Sequence, residues 1–252
     1  MNFPLILDPW FYAAAIPAVF LMGISKSGFG AGFGALAVPI MALSVSVPQA
    51  AAIFMPLLLA MDIIGIAAFR KNVDQKLLGF LLPWGLVGIV CGTLLFKLVS
   101  ASIVAGIVGV LTLLFLAQRL LFPPSADAGP MPPSIGRWLI AASGFTSFVA
   151  HAGGPPYNAY MLRLKLTPLA YTATAAHFYF IINLSKWVPY AWLGLLDLRN
   201  FATSVALMPV AFFGTWLGIR IAKHIQPTLF YRLIYIGMFL TGCKLVWDGF
   251  LK

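Results

Sequence analysis

"GISKSGFGAGFG", Gly23–Gly34, sets Lys26 between Ser25 and Ser27 and then places glycine at 28, 30, 32 and 34. Long apolar stretches flank it on both sides. A glycine ladder weakens a helix, and a lysine in an apolar run costs solvation energy. Whether this stretch is a soluble loop or a break inside a membrane segment decides the fold.

Composition answers first. The chain has 252 residues, of which 62% are hydrophobic and 9% charged. Soluble domains carry about 25% charged residues, which they need to cover their surface. This chain cannot cover itself with polar groups, so lipid is its main solvent and a single polytopic all-α membrane domain over 1–252 is expected. The net charge of +10 would suggest nucleic acid in a soluble protein. Here the basic residues cluster in short loops between apolar runs, so membrane topology explains them and no nucleic-acid partner is expected. The chain has no glutamate, and of its six aspartates only Asp62 falls well inside an apolar run. Cys91 and Cys243 lie in apolar runs and read as buried residues without a disulfide. Asp8 and the lack of a basic N-terminal region argue against a cleaved signal peptide. No cofactor motif, metal-ligand spacing or nucleotide-binding motor is evident.

The apolar runs fall at 11–43, 48–69, 77–97, 101–121, 135–161, 167–193, 201–221 and 227–250. A proline-rich stretch divides them into two fours, giving repeat one at 9–121, a linker at 122–134 and repeat two at 135–250. Gly23 matches Gly144, and Gly32 matches Gly153, at a spacing of 121. "LPWGLVGIVCGTLLFK" (Leu82–Lys97) matches "MPVAFFGTWLGIRIAK" (Met208–Lys223) at 126. Duplication on this scale is the pattern of many secondary transporters.

Charge bias bears on how the halves are oriented. Loop 70–76, "RKNVDQK", is basic, whereas its counterpart "DLRN" is nearly balanced; loop 44–48 is uncharged, whereas its counterpart carries Arg163 and Lys165. The bias switches sides, which favours inverted halves. Segment 11–43 would be ~50 Å long as one helix, too long for a ~30 Å core and too short for two spans. A broken, re-entrant hairpin turning near Ser25–Gly34 fits, with its counterpart turning near Thr146–Pro156. Both termini would then lie outside, and loops 70–76, 122–134, 162–166 and 222–226 inside. The rival is eight simple spans in parallel halves. The seven tryptophans mostly lie near span ends, as interface anchors do.

A break in a membrane helix frees backbone N–H and C=O groups, which survive only against protein or a wet cavity. The half-helix after the break aims N–H groups and a positive dipole end into that cavity. Ser25, Lys26, Ser27, Gly28, Gly30 and Gly32 in the first half, and Thr146, Ser147, His151, Gly153, Gly154, Tyr157 and Asn158 in the second, compose an anion site at the bilayer midplane. Asp62, His177, Asn183 and Lys186 are the coupling or gating candidates, and Asp62 aligns with Asn183 at 121. Structural roles compete for each. The glycines suit close helix packing, Lys26 can snorkel, and His151 and His177 can be hydrogen-bonded core residues. Asp62 can carry a proton or pair with Lys26 or Lys186, and Lys186 can sit at an outer rim beside Trp187.

At "GISKSGFGAGFGALAVPIMAL" and its echo "SGFTSFVAHAGGPPYNAYML", within the duplicated four-run layout, the sequence resembles the TauE/SafE family of sulfite exporters and related anion permeases. Gly28, Gly30, Gly32, Gly34 and Pro39 match the family's glycine cluster in the first half; Gly153, Gly154 and Pro155 match the second, where His151 and the double proline depart from it. The resemblance implies a multi-pass cell (inner) membrane protein that moves sulfite, sulfoacetate or related organosulfonates by secondary transport; by its size such a carrier works as a monomer or homodimer. A passive anion channel is the nearer alternative. An intramembrane enzyme, with Ser25 as nucleophile and His151 as base, is the more distant one, and no HExxH or GxSxG motif supports it.

Overall fold

The structure, a computed structural model, describes residues 5–28, 34–95, 98, 100–121 and 131–251. Their regular structure is all helical, with no strand among them. The helices are α1 (Pro9–Gly28), α2 (Ala37–Met41, entered through a 3-10 turn at Gly34–Leu36), α3 (Val47–Phe69), α4 (Gln75–Leu95), α5 (Ala101–Leu121), α6 (Pro133–Ala150), α7 (Gly154–Met161), α8 (Pro168–Trp192), α9 (Leu198–His224) and α10 (Pro227–Val246, ending in a π turn at Trp247–Leu251). Five of them are long and apolar enough to cross a membrane. α8 is as long, but it carries more polar residues, of which Thr172, Thr174, Asn183 and Lys186 are buried.

Helix starts follow local chemistry. The Ser46 side chain accepts the Gln49 amide at the head of α3, and Thr167 accepts the Ala170 amide at the head of α8. These caps are 121 residues apart and satisfy amides that lipid cannot. The turn expected near Ser25–Gly34 leaves Ser25–Gly28 helical; Gly30 and Gly32 lie outside the described residues, as does most of the 122–134 stretch.

Packing exchanges elements between the two parts of the chain. α1 lies against α9 and α4 against α6, at matching positions. A Cβ at Gly214 would come within 2.7 Å of the Phe20 carbonyl oxygen, and one at Gly23 within 3.1 Å of the Ala211 carbonyl oxygen. In the other crossing, a Cβ at Gly88 would overlap the Ala141 carbonyl, and one at Gly144 the Gly85 carbonyl. These four contacts are the same two contacts shifted by 121 on one helix and 126 on the other. Only glycine permits such backbone approach.

α3 and α8 run antiparallel through the centre. Asn183 donates to Asp62 at 2.7 Å, and a Cβ at Gly65 would touch Ala176. α5 and α10 are also antiparallel, since Gly109 meets Val246 and Gly242 meets Leu113. α3 is the most enclosed of the candidate spans, 61% of its window buried against 33% for α4 and α9.

One end of the bundle gathers the basic loops. The Asp74 amide donates to Thr174 at 3.2 Å, and the Tyr231 hydroxyl donates to the Leu166 carbonyl, so 70–74, 162–167 and the head of α10 lie together. Arg70, Lys71, Lys76, Arg163 and Lys165 belong to this end. At the other end Gln49 donates to Asn200 at 3.2 Å and the Ile6 amide to Thr203 at 3.3 Å. Cys91 and Cys243, expected to be buried, are exposed on α4 and α10. A thiol facing lipid leaves no strong hydrogen-bonding group unsatisfied, so burial gains it little.

Candidate functional site

α6 stops at Ala150 because His151 takes a left-handed conformation, φ 51°. The gap before α7 is held by its own side chains. Ser143 donates to the Gly153 carbonyl at 2.7 Å. The Thr146 hydroxyl sits 2.8 Å from the Ala142 carbonyl and 3.0 Å from that of Ala152. The Ala152 amide reaches back to the Thr146 carbonyl at 3.1 Å. Freed backbone groups are thus satisfied inside the protein, as the apolar setting requires.

A cavity of about 40 Å³ opens beside this gap, between α1, α3, α6, α7 and α8. Lys26, Ser147, His151, Asn183, Lys186 and Tyr179 supply its polar lining, with Gly34, Gly153 and Gly154 among its small residues. Lys26 forms an ion pair with Asp62 at 2.5 Å, and the second Asp62 oxygen takes the Asn183 amide. The Asp62 charge is therefore used twice within the protein. Lys186 is fully buried, and its ammonium donates to the Ser147 carbonyl at 3.2 Å and hydroxyl at 3.1 Å. No carboxylate pairs with it among the described residues. By formal charge the two lysines outnumber the one aspartate at the cavity. His151 places its ring nitrogens 3.0 Å from the Ser147 carbonyl and 3.2 Å from that of Ala51.

The helix terminus contributes less than its sequence position suggests. α7 opens Gly154-Pro155-Pro156, and proline has no N–H, so its first three positions offer one donor. The dipole remains, but the donors at the cavity that no carboxylate holds are the Lys186 ammonium and the Ser147 hydroxyl.

Lys26, Ser147, His151, Gly153 and Gly154 thus come together with Asn183 and Lys186. Ser25 and Ser27 are buried on α1, and the Ser27 hydroxyl has no partner. Gly28 ends α1. Thr146 pins the gap rather than lining the cavity. Tyr157 and Asn158 lie in the core one turn beyond Gly154, where Asn158 accepts from the Tyr171 hydroxyl. His177 is half-buried and bonds the Ala173 carbonyl of its own helix at 2.8 Å. Tyr179 was not singled out from the sequence. Its ring lies 5.9 Å from the Lys26 ammonium. The spacing Tyr179, Asn183, Lys186 is i, i+4, i+7, one face of α8, and that period could have found it.

A family model described as Sulfite exporter TauE/SafE matches residues 15–245. The chain belongs to that family. As a TauE/SafE member it is a multi-pass membrane protein of a transporter family for sulfite and related anions, not of an enzyme family. No curated protein and no solved structure matches the chain.

Proposed function

We propose that the protein is a secondary transporter of small sulfur oxyanions, sulfite first, and that the anion binds in the cavity beside the α6–α7 gap. One observation carries this reading: among the described residues Lys186 is buried at the cavity wall with no carboxylate paired to it, while the nearby Asp62 is already held by Lys26 and Asn183. An isolated buried charge costs several kcal/mol or more, on the order of the affinity a bound anion would recover. About 40 Å³ is room for ~3 waters, taking ~10–15 Å³ for each, which suits a four-heavy-atom oxyanion. Longer organosulfonates such as sulfoacetate enter only where the cavity widens.

Transport follows from the arrangement of the halves, 9–121 and 135–250, which we take as inverted repeats each carrying a broken, re-entrant element. Equivalent helices that pack antiparallel, α3 with α8 and α5 with α10, support a twofold axis perpendicular to the helices. The reciprocal glycine crossings support it independently. Rocking one half against the other would expose the central cavity to each side in turn. The basic end faces the cytoplasm of the cell (inner) membrane under the positive-inside rule, with the termini outside. A proton or ion gradient drives the cycle, and monomer and homodimer both accommodate it. The test is flux of sulfite through proteoliposomes under imposed proton and ion gradients. Flux that responds to a gradient supports a carrier. Fast uncoupled flux supports a channel, and no flux of sulfite or any organosulfonate removes the reading.

A further inference from the structure

Three buried polar atoms without hydrogen-bond partners form one layer between the cavity and the basic end: the Tyr157 hydroxyl, the Asn158 side-chain nitrogen and the Thr172 hydroxyl. All three residues are fully buried. Their positions follow from the helices. α7 leaves the cavity at Gly154 and ends at Met161, just before Arg163 and Lys165; Tyr157 and Asn158 are three and four residues along it, on the face that Gly154 presents to the cavity. α8 enters from the same end at Pro168 and reaches the cavity at Ala175, Ala176 and Tyr179. Thr172 is three residues before Ala175, on that same face of α8.

Leaving such groups unpaired costs about 1–3 kcal/mol each, and native cores rarely carry three together. Packing does not require the polar atoms, since phenylalanine, leucine and valine would fill the same space. All three are donors, and no acid lies in this layer. At a spacing of 121 the counterparts of Tyr157, Asn158 and Thr172 are Leu36, Ala37 and Ala51, all apolar. At these three positions the donors therefore occur in the second half only. Aromatic rings shut the layer here: Tyr157 lies 5.2 Å from Tyr179 and 6.2 Å from Tyr171, centroid to centroid. α7 is eight residues long and is joined to α6 through the non-helical gap at 151–153.

We infer that the Tyr157–Asn158–Thr172 layer is the gate on the basic side and the path by which the anion leaves or enters the cavity there, its three donors binding the anion in passage. This rests on the reading of the cavity as the anion site. In the closed state the donors are unsatisfied; when α7 swings away they face the anion and water.

The test combines two arms. Tyr157→Phe with Thr172→Val removes two hydroxyls that bond nothing in the closed state. Equilibrium sulfite binding stays at its wild-type value and the thermal midpoint rises, because two unpaired buried groups are removed, while sulfite exchange in proteoliposomes slows about tenfold, the size expected for lost hydrogen bonds to a charged group. Exchange at the wild-type rate overturns the inference, and so does a parallel loss of thermal stability, which would mean a packing role. In the second arm Thr172→Cys, in a Cys91→Ser, Cys243→Ser background, is exposed to a membrane-impermeant maleimide from each face. Labelling from the basic face alone is expected; no labelling, or labelling from the opposite face, overturns it. If the wild type carries no sulfite, the cavity reading has failed and the labelling arm alone decides whether this layer is an access route.

Discussion

Replacing Lys186 by methionine separates a binding charge from a structural one. The side chains are similar in length, so the packing of α8 against α6 is kept while one positive charge leaves a fully buried site. Folding loses two hydrogen bonds to Ser147, at 3.1 and 3.2 Å, and gains relief from burying an unbalanced cation. The first costs about 1–3 kcal/mol together and the second returns several, so the thermal midpoint should hold or rise. For an anion the sign is opposite. At ~4 Å and an effective dielectric near ~20, one unit charge contributes about 4 kcal/mol of attraction. Since about 1.4 kcal/mol is a factor of ten, sulfite affinity should fall about a thousandfold. Lys26 cannot take over, because Asp62 neutralises it at 2.5 Å. Calorimetric titration of sulfite into purified protein, paired with thermal unfolding followed by tryptophan fluorescence, measures both. Sulfite affinity within about threefold of wild type would refute the assignment of Lys186 as the anion's counter-charge.

Further expectations follow from the same contacts. Asp62→Asn strands Lys26 beside Lys186 and should destabilise the fold by about 3–5 kcal/mol in a denaturant titration, whereas Lys26→Met with Asp62→Leu removes the pair together and should be close to neutral. Equal losses for the single and double changes would show that the pair is not the unit. Gly88→Ala drives a methyl into the Ala141 carbonyl and should cost about 2 kcal/mol or more, while Gly79→Ala, with nothing within 4 Å, should gain up to about 1 kcal/mol of helix propensity. Both are read by thermal unfolding, and a tolerated Gly88→Ala contradicts the close crossing of α4 and α6. Thr146→Val leaves the Ala152 carbonyl without its hydroxyl, so stability should drop by about 1 kcal/mol and sulfite affinity severalfold as the α6–α7 gap loosens. Unchanged affinity would separate the gap from the site.

Most of the fold was legible because lipid leaves a chain few options. The apolar runs fall on the observed helices within a few residues, since backbone groups in hydrocarbon must bond within a helix. The glycines matched in the sequence, Gly23 with Gly144 and Gly88 with Gly214, sit at two close helix crossings, α1 with α9 and α4 with α6. The site was only partly legible. Asp62 aligned with Asn183 in the sequence, but their direct contact at 2.7 Å was not expected, and which lysine Asp62 would hold depended on helix rotation, which hydropathy does not encode. Lys186 had a rim position open to it beside Trp187 and is instead fully buried. Tyr157 and Asn158 sit in the same glycine-rich stretch as the cavity residues, but α7 carries them one turn towards the basic end. Pro155 and Pro156 were in plain view, and their missing N–H groups leave the first three positions of α7 one backbone donor.

The most direct test of the central claim is to locate the anion. A structure determined with selenite as a heavier stand-in for sulfite should show its scattering peak within hydrogen-bond distance of the Lys186 ammonium, between Ser147 and His151. A peak elsewhere in the bundle, with this cavity empty while the anion is bound, would contradict the account.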